Sequence, residues 1–305
     1  MSDCSQLLAA LRAGAHDQAL AALYALDGTA QRLEEARARC VRAVEAFVQR
    51  FGCAQNAALF SGPGRTEIGG NHTDHQHGRV LCGSVDLDML ACAAPNGSRL
   101  VRIVSEGYPA LEIDLDDLAP KAEEKNTSAA LVRGVAAKIA QLGHPLSGFD
   151  ACATSTVLSG SGLSSSAAYE TLVGNIFSHF CCGDKLDPVA IAKIGQYAEN
   201  VYFGKPCGLM DQMGSSVGGA VFIDFNDPAN PVVEKVDYDF ARSGYALCIV
   251  DTGSSHGDLT DDYADITREM GAVAAHFGKT VLRDVPLEDF RAAIPALREE
   301  CGDRA

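Results

Sequence analysis

The densest group of polar residues in this chain lies between Gly64 and Leu81, which read GRTEIGGNHTDHQHGRVL. An arginine, a glutamate, an asparagine, an aspartate and three histidines are set between four glycines. Histidine and carboxylate groups are common metal ligands, and the same polar groups can hydrogen-bond to a sugar. The segment by itself therefore predicts either a metal site or a sugar site.

A second cluster of chemistry-bearing residues, LSGSGLSSSAAYE, runs from Leu158 to Glu170. Its glycines let backbone N–H groups come close to a ligand, and the N-terminus of the predicted following helix attracts an anion such as a phosphate. The serine hydroxyls add hydrogen bonds, and one can reach a Mg²⁺ ion. The loop indicates either a phosphate site or a flexible loop that ends in a serine N-cap.

Three better-known motifs are excluded for this loop. No lysine follows the glycines, as a Walker A loop requires, and Ser165 stands where a Rossmann fingerprint has its third glycine. Neither Ser161 nor Ser164 lies in the Gly-x-Ser-x-Gly pattern of a hydrolase nucleophile.

Two carboxylates follow in ENVYFGKPCGLMDQM, which spans Glu199 to Met213. Acidic residues at helix ends are usually solvated. A nucleotide site with Mg²⁺, however, needs a carboxylate ligand, and a hydroxyl acceptor needs a carboxylate that orients it. Glu199 and Asp211 lie where such groups are expected.

The pattern of elements predicts an α+β protein. Residues 5–51 have apolar positions at helical spacing, and short β-forming runs begin near Asn56. Helices are expected at about 127–142, 164–180, 188–202, 258–276 and 287–300, with strands at FDACATSTVL, GGAVFIDF and YALCIVDT. Strand groups and helix groups are partly segregated, which favours α+β over a doubly wound parallel sheet.

Composition limits the classes of partner. The chain has 305 residues and a net charge of −15, which argues against nucleic acid or an anionic membrane as the main partner. No apolar run is long enough to span a bilayer, and the first residues do not resemble a signal peptide. The eleven scattered cysteines are expected to be mostly buried thiols in a reducing cytoplasm.

Three stretches together, GRTEIGGNHTDHQHGRVL, LSGSGLSSSAAYE and CGLMDQM, resemble the galactokinases of the GHMP small-molecule kinase superfamily. The resemblance runs from about Gly52 to the end of the chain. It implies a GHMP kinase-like two-domain fold, with a helical extension at 1–51, an N-terminal domain with a mixed sheet at 52–243, and an incomplete C-terminal α+β domain at 244–305. It implies ATP and Mg²⁺ as cofactors, a small-molecule sugar as substrate, and galactose 1-phosphate as product.

Carried over position by position, the resemblance implies a role for each matching residue. Arg65 would stabilise charge on the phosphoryl group in flight, and Asp211 would hold the anomeric hydroxyl and accept its proton late. Ser166 and Glu199 would hold Mg²⁺. The residues implied to bind the sugar are Asn71, His72, Thr73, Asp74 and Tyr263. The residues implied to bind the ATP phosphates are Gly160, Ser161, Gly162, Leu163, Ser164, Ser165 and Ser166.

The resemblance also bears on whether the segment 64–81 is a metal site or a sugar site. His72, His75 and His77 lie on a glycine-rich loop with no nearby cysteine or glutamate that clearly completes a metal shell. We therefore interpret His72 as a sugar contact and the other two histidines as structural or surface residues.

The sequence departs from the family pattern in two places. Asn71 stands where the signature usually has glutamate, so another hexose, such as an N-acetylated galactose, is an alternative substrate. The superfamily's third glycine-rich motif does not occur after Tyr263, and we expect the second domain to be incomplete.

Two other functions are alternatives. The protein could be a relative that binds galactose and ATP without turnover, and it would then act as a sugar sensor. The stretch VDTGSS at 250–255 matches the aspartic-protease pattern, but that chemistry needs two such carboxylates and the chain has one copy.

Overall fold

The structure is a computed structural model that describes residues 3–24, 30–70, 73–157, 160–238, 243–245, 247–250 and 260–304, with backbone only at 260–264. Its helices are α1 (Cys4–Arg12), α2 (Asp17–Leu23), α3 (Ala30–Phe51), α4 (Ser128–Gln141), α5 (Ser165–Cys182), α6 (Pro188–Tyr197), α7 (Met210–Val217), α8 (Thr260–His276) and α9 (Leu287–Cys301). Its strands are β1 (Ala58–Gly69), β2 (Arg79–Pro95), β3 (Leu100–Ser105), β4 (Leu111–Asp114), β5 (Phe149–Ser155), β6 (Ala220–Asp224) and β7 (Val232–Val236). Short 3₁₀ turns cover Asp74–Gln76, Ala122–Glu124 and Leu282–Asp284, and a π-helix covers Ala198–Phe203.

The strands form one mixed sheet of seven in the order β4-β3-β5-β2-β6-β7, with β1 paired to β2. β3 and β5 run parallel, and the other pairs run antiparallel. The prediction of an α+β fold with a mixed sheet packed by helices is confirmed.

β2 organises the sheet. It is one strand of 17 residues, whereas the sequence suggested the separate runs VLCGSV and MLACAAP. β1 pairs along one edge of β2, while β6 and β5 share the other edge, at 79–83 and 89–95 respectively. Because each half of the strand finds its own partner, β2 continues where the sequence showed an interruption.

Alternate residues of β2 pack on opposite faces of the sheet. Ala91 and Ala93 lie in the core shared with α4 and α5, whereas Leu90, Cys92 and Ala94 lie in the core shared with α1, α2 and α3. Helices α4 and α5 cover one face of the sheet, and the N-terminal helices cover the other.

The helices predicted for residues 5–51 are present, and they are joined to the sheet by a buried ion pair. Asp88 of β2 is 1% exposed and accepts hydrogen bonds from Arg39, from the Tyr24 hydroxyl at 2.9 Å and from Ser61 at 2.5 Å. Burial, together with the neighbouring Asp88 carboxylate, raises the pKa of Tyr24 well above its ordinary value. The N-terminal helices are thus a part of the packed core.

The C-terminal part of the chain differs from expectation in one element. YALCIVDT was predicted to be a strand, but its described residues 247–250 lie in no strand and pair with no described strand. Among the described residues, this run therefore has no strand with which to exchange backbone hydrogen bonds. The helices expected near 258–276 and 287–300 are present as α8 and α9. Within the described ranges, no helix is both long and apolar enough to cross a membrane.

Candidate active site

Arg65 and Asp211 form the centre of the site. The Arg65 Nε donates to Asp211 Oδ1 at 2.8 Å, and Nη2 lies 2.7 Å from the same oxygen. Arg65 comes from β1, just after a register shift that follows Pro63, and Asp211 lies in the first turn of α7. The pair is mostly shielded, with side-chain exposures of 14% for the arginine and 26% for the aspartate. A partly desolvated ion pair of this kind is screened less by water and salt than one on the surface.

The Gly/Ser loop lies against this pair. Arg65 donates its backbone N–H to Leu163 O at 3.0 Å and its Nη1 to Gly162 O at 2.7 Å. Gly160 and Gly162 both have positive φ, as does the non-glycine residue Ser164, with φ of 57°. The loop therefore turns sharply where it meets β1. The two glycines adopt positive φ values without strain, whereas Ser164 adopts one that is uncommon for a residue with a side chain.

Ser164 precedes α5 but does not cap it. Its Oγ donates to Asp211 Oδ2 at 2.6 Å, and its side chain makes no capping hydrogen bond to the helix. The first N–H groups of α5 consequently keep their capacity to bind an anion. Of the two interpretations of this loop, the serine N-cap is wrong for Ser164, because its side chain accepts no hydrogen bond from the first turn of the helix.

β1 and α5 approach each other so closely that the loop has little freedom. A side-chain Cβ at Gly62 would lie 2.2 Å from the carbonyl oxygen of Ala168. Only glycine fits at this position, and the contact fixes the start of α5 beside the strand that carries Arg65.

Ser166 and Glu199 meet on the other side of the loop. Ser166 Oγ donates to Glu199 Oε1 at 3.0 Å, and Lys205 Nζ lies 3.3 Å from the same oxygen. Burial acts to lower the pKa of Lys205, but the Glu199 carboxylate outweighs it, so that the pKa is raised. Glu199 lies in the π-helix and is 1% exposed. π-helical turns often occur at functional sites.

Gln212 connects the two carboxylate regions. Its Nε2 donates to Glu199 Oε2 at 2.8 Å and to Glu170 Oε2 at 3.0 Å. Because Gln212 directly follows Asp211 on α7, one short helix touches both the Arg65 pair and the Glu199 group.

Glu170 is completely buried in α5. Burial raises the pKa of its carboxyl, and the nearby Glu199 carboxylate raises it further, whereas the hydrogen bond from Gln212 acts in the opposite direction. Its Oε1 has no hydrogen-bond partner among the described residues. Sequence reasoning missed Glu170, Gln212 and Lys205. One signal was available for Glu170: it is an acidic residue at a helix position whose neighbours on the same face of α5 are mostly apolar and buried.

The turn at 73–78 carries the predicted sugar contacts Thr73 and Asp74. Thr73 Oγ1 contacts Gly70 O at 2.7 Å and Arg79 O at 2.8 Å, so the hydroxyl holds the turn together. The Asp74 carboxylate faces the loop before α7, because a Cβ placed on Gly208 would lie 1.8 Å from Asp74 Oδ2. Asp74 thus lies next to the segment that leads to Asp211.

The remaining predicted residues are only partly described. Asn71 and His72 lie outside the described residues, and so do positions 251–255 of the protease-like stretch. Tyr263 lies on α8, but its side chain is outside the described part of the chain. His75 Nε2 lies 3.8 Å from Asp74 Oδ1, and His77 ends the 3₁₀ turn with a positive φ.

A cavity of about 260 Å³ opens beside the Gly/Ser loop. Ser165, Ser166 and Tyr169 of α5 form one wall, and the aromatic rings of Tyr108 and Phe203 lie at others. A ligand in the cavity would therefore touch both the serines and an aromatic surface.

Two family models match the regions that build this site. The galactokinase galactose-binding signature matches residues 45–95, and the GHMP kinases N terminal domain matches residues 130–219. The first region contains Arg65 and the turn at 73–78, and the second contains the Gly/Ser loop, Glu199 and Asp211.

Relatives of the whole site are also found. The chain is 33% identical over 262 residues to a galactokinase of Streptomyces coelicolor, covering 84% of this chain and 66% of the relative. It is 33% identical over 259 residues to a galactokinase of Streptomyces lividans, covering 82% of this chain and 61% of the relative. The chain therefore spans slightly less than two thirds of the length of these relatives.

Solved structures share the fold. The structure of Lactococcus lactis galactokinase complexed with galactose matches with a TM-score of 0.67 at 23% identity, covering 81% of this chain and 65% of that chain. Methanococcus jannaschii mevalonate kinase matches with a TM-score of 0.52 at 17% identity, covering 80% and 78% respectively. Motifs, identity and fold agree, and the chain belongs to the galactokinase family of the GHMP kinase superfamily.

Proposed function

We propose that this protein phosphorylates the anomeric hydroxyl of galactose with ATP and forms galactose 1-phosphate. The proposal is supported by the relatives at 33% identity, which are named galactokinases, and by the structural neighbour that holds galactose. It is supported equally by the match of the galactose-binding signature to the strand and turn that carry Arg65 and Asp74.

The proposal depends on one observation: Asp211 lies between the Gly/Ser loop and the turn at 73–78. Ser164 of the loop donates to Asp211 at 2.6 Å, and Asp74 of the turn packs on Gly208, three residues before Asp211. A sugar held at the turn would present a hydroxyl to the same carboxylate that faces the loop. That arrangement is what phosphoryl transfer between the two ligands requires.

The residues at the centre can perform the chemistry by orientation and charge. In the proposed reaction Asp211 accepts a hydrogen bond from the anomeric hydroxyl and takes its proton late, while Arg65 holds the carboxylate in place. Arg65 also offers a guanidinium to the negative charge on the transferred phosphoryl group. The N–H groups at the start of α5 bind the phosphates of the nucleotide.

The residues near Ser166 fit a magnesium ion. A serine hydroxyl and a carboxylate already lie 3.0 Å apart, and both are the oxygen ligands that Mg²⁺ prefers. Gln212 donates to the other oxygen of Glu199, which leaves Oε1 directed towards Ser166. We therefore assign Ser166 and Glu199 to the metal, which would neutralise charge on the phosphates of ATP. Lys205 lies beside Glu199 Oε1 and balances its charge.

The cavity beside α5 fits the nucleoside half of ATP. Its wall contains Ser165 and Ser166, so a ligand there can extend its phosphates onto the loop. Tyr108 and Phe203 offer ring surfaces to a flat base. The substrates of the proposed reaction are thus small molecules. We propose that the enzyme works in the cytoplasm, because its eleven cysteines are free thiols, several of them buried, and thiols stay reduced in that compartment.

A hexose panel with Mg-ATP tests this function. ADP release and the sugar phosphate should both appear with galactose. An N-acetylated galactose as the preferred substrate would change the assigned sugar, which is the alternative that Asn71 raises. Calorimetric binding of galactose without any sugar phosphate would replace the kinase with a sugar sensor. No binding and no turnover with any hexose would overturn the proposal.

A further inference from the structure

The turn at 73–78 has two sides that face different parts of the chain. Asp74 faces Gly208 and the segment that leads to Asp211. Gln76 and His77 face the opposite way, towards the 3₁₀ turn Leu282–Asp284. The turn therefore lies between the segment that leads into α7 and the 3₁₀ turn Leu282–Asp284. The two contacts with that 3₁₀ turn each join residues 206 positions apart in the chain.

The contacts on this second side are specific. Leu282 donates its backbone N–H to Gln76 Oε1 at 2.8 Å, and Gln76 is only 6% exposed. Arg283 donates its Nη1 to the carbonyl oxygen of His77 at 2.8 Å. One contact uses a side chain of the turn and the other uses its backbone, so the turn is held at two consecutive residues.

Arg283 is itself held by Asp224 at the end of β6. Its Nη1 donates to Asp224 Oδ1 at 2.5 Å, and its Nη2 donates to Oδ2 at 3.1 Å. Such two-pronged pairs fix the direction of the guanidinium as well as its charge. Arg79, the first residue of β2, donates to the same carboxylate at 2.9 Å. Phe225, the next residue after Asp224, donates its N–H to Gly78 O at 2.9 Å.

The turn has hydrogen bonds of its own, and these fix its internal shape. Gln76 and Gly78 both donate their N–H groups to the carbonyl of Thr73, and the Thr73 hydroxyl contacts the carbonyl oxygens of Gly70 and Arg79. None of these bonds joins the turn to β6 or to the 3₁₀ turn Leu282–Asp284. Contacts with those two segments therefore set where the whole turn, and with it Asp74, lies.

We propose that Arg283 is a positioning residue for the sugar-binding turn, which it holds against β6 through His77 and Asp224 so that Asp74 stays beside Gly208. The proposal rests on the proposed function for its effect on the sugar, but not for the clamp itself. Arg283 touches neither the Gly/Ser loop nor the cavity beside α5 in any described contact. Its loss should therefore affect the sugar and leave the nucleotide unaffected.

Hydrogen exchange on the full chain tests the clamp without any ligand. In Arg283→Ala, peptides that cover 70–80 should exchange about tenfold faster than in the wild type, from the loss of charge-assisted hydrogen bonds. Arg283→Lys keeps one cationic donor and should lie between the two, because an ammonium cannot reproduce the fork. The matched control is Arg291→Ala, which removes an exposed partner of Glu288 in α9 and should leave 70–80 unchanged.

Kinetics and calorimetry then test the consequence. In Arg283→Ala the KM and the dissociation constant for galactose should rise about tenfold, with the KM for ATP unchanged. Unchanged exchange at 70–80, or an equal rise in both KM values, would overturn the proposal. If the wild type binds and phosphorylates no hexose, the proposed function fails, and the exchange rates still decide whether Arg283 holds the turn.

Discussion

Arg65 and Asp211 lie 146 positions apart in the chain, and two nitrogens of one guanidinium meet a single carboxylate oxygen at 2.8 and 2.7 Å. The second oxygen of that carboxylate accepts the Ser164 hydroxyl at 2.6 Å. Asp211 is therefore held from two sides, by Arg65 of β1 and by the loop that precedes α5. The side chain of Asp211 is already fixed before a substrate binds. It can therefore orient a substrate hydroxyl with little further loss of conformational entropy.

Asp211→Asn should reduce kcat for galactose by roughly 10²–10⁴, the usual contribution of a positioned base. The KM for galactose should change little, because an amide can still accept a hydrogen bond from the sugar. Initial rates of ADP release measure this. Asp116→Asn removes an exposed carboxylate that pairs with Arg99 and serves as the control. A fully active Asp211→Asn variant would remove Asp211 from the reaction.

Gly208→Ala should weaken galactose binding, because the new methyl group would lie 1.8 Å from Asp74 Oδ2 in the present arrangement. Relief of such a clash costs roughly 1–3 kcal/mol and displaces the carboxylate, so a rise in the galactose KM of about tenfold is expected. The matched control is Gly271→Ala on α8, where a Cβ would meet nothing within 4 Å. That control should keep the wild-type KM, and equal KM values in both variants would contradict the contact.

Arg39→Met should destabilise the protein by roughly 3 kcal/mol, because it leaves the Asp88 carboxylate buried without its cation. Urea unfolding measures the change. Arg32 lies on the same helix as Arg39 and forms an exposed pair with Asp86 of β2. Arg32→Met breaks that pair and should cost less than about 1 kcal/mol of stability. Similar stability losses in the two variants would show that the buried position of Asp88 has no special role.

Asp224 should make stability depend on acid pH. The hydrogen bonds from Arg283, helped by Arg79, hold the pKa of Asp224 well below its ordinary value of 3.8, although burial acts to raise it. The folded protein thus keeps this carboxylate ionised where the unfolded chain takes up a proton. Its stabilising contribution is present above the unfolded pKa and is lost as pH falls through the folded pKa.

Denaturant unfolding of the wild type and of Asp224→Asn at a series of pH values tests this dependence. The wild type should be the more stable by a constant margin at neutral pH, and the margin should shrink below about pH 4. A margin that grows on acidification would have the wrong sign and would show that Asp224 is not stabilised as an anion in the folded protein.

Much of this protein can be predicted from local patterns. The helical spacing in residues 30–51, the glycines before α5 and the β-forming runs after Asn56 each describe dihedral angles and burial over a few residues. Such patterns need no knowledge of distant partners. The roles proposed for Arg65, Asp211, Ser166 and Glu199 came from a resemblance carried by three short motifs. The structure brings these four residues together in two adjoining groups.

Other features required the tertiary structure. Ser164 has the sequence context of a helix cap, yet its hydroxyl turns to Asp211. Glu170 and Gln212 have ordinary contexts, and only the packing of α5 against α7 buries them together. β2 is continuous because two separate strands share one of its edges.

The sequence by itself determined most of the helices, strands and glycine-rich turns, and which motifs carry polar groups suited to a sugar and a phosphate. The tertiary structure alone decided that Asp74 meets Gly208 and that Arg283 holds His77. The physical reason is that local patterns report the preferences of neighbouring residues, whereas contacts across 206 positions depend on strand order and helix packing over the whole chain.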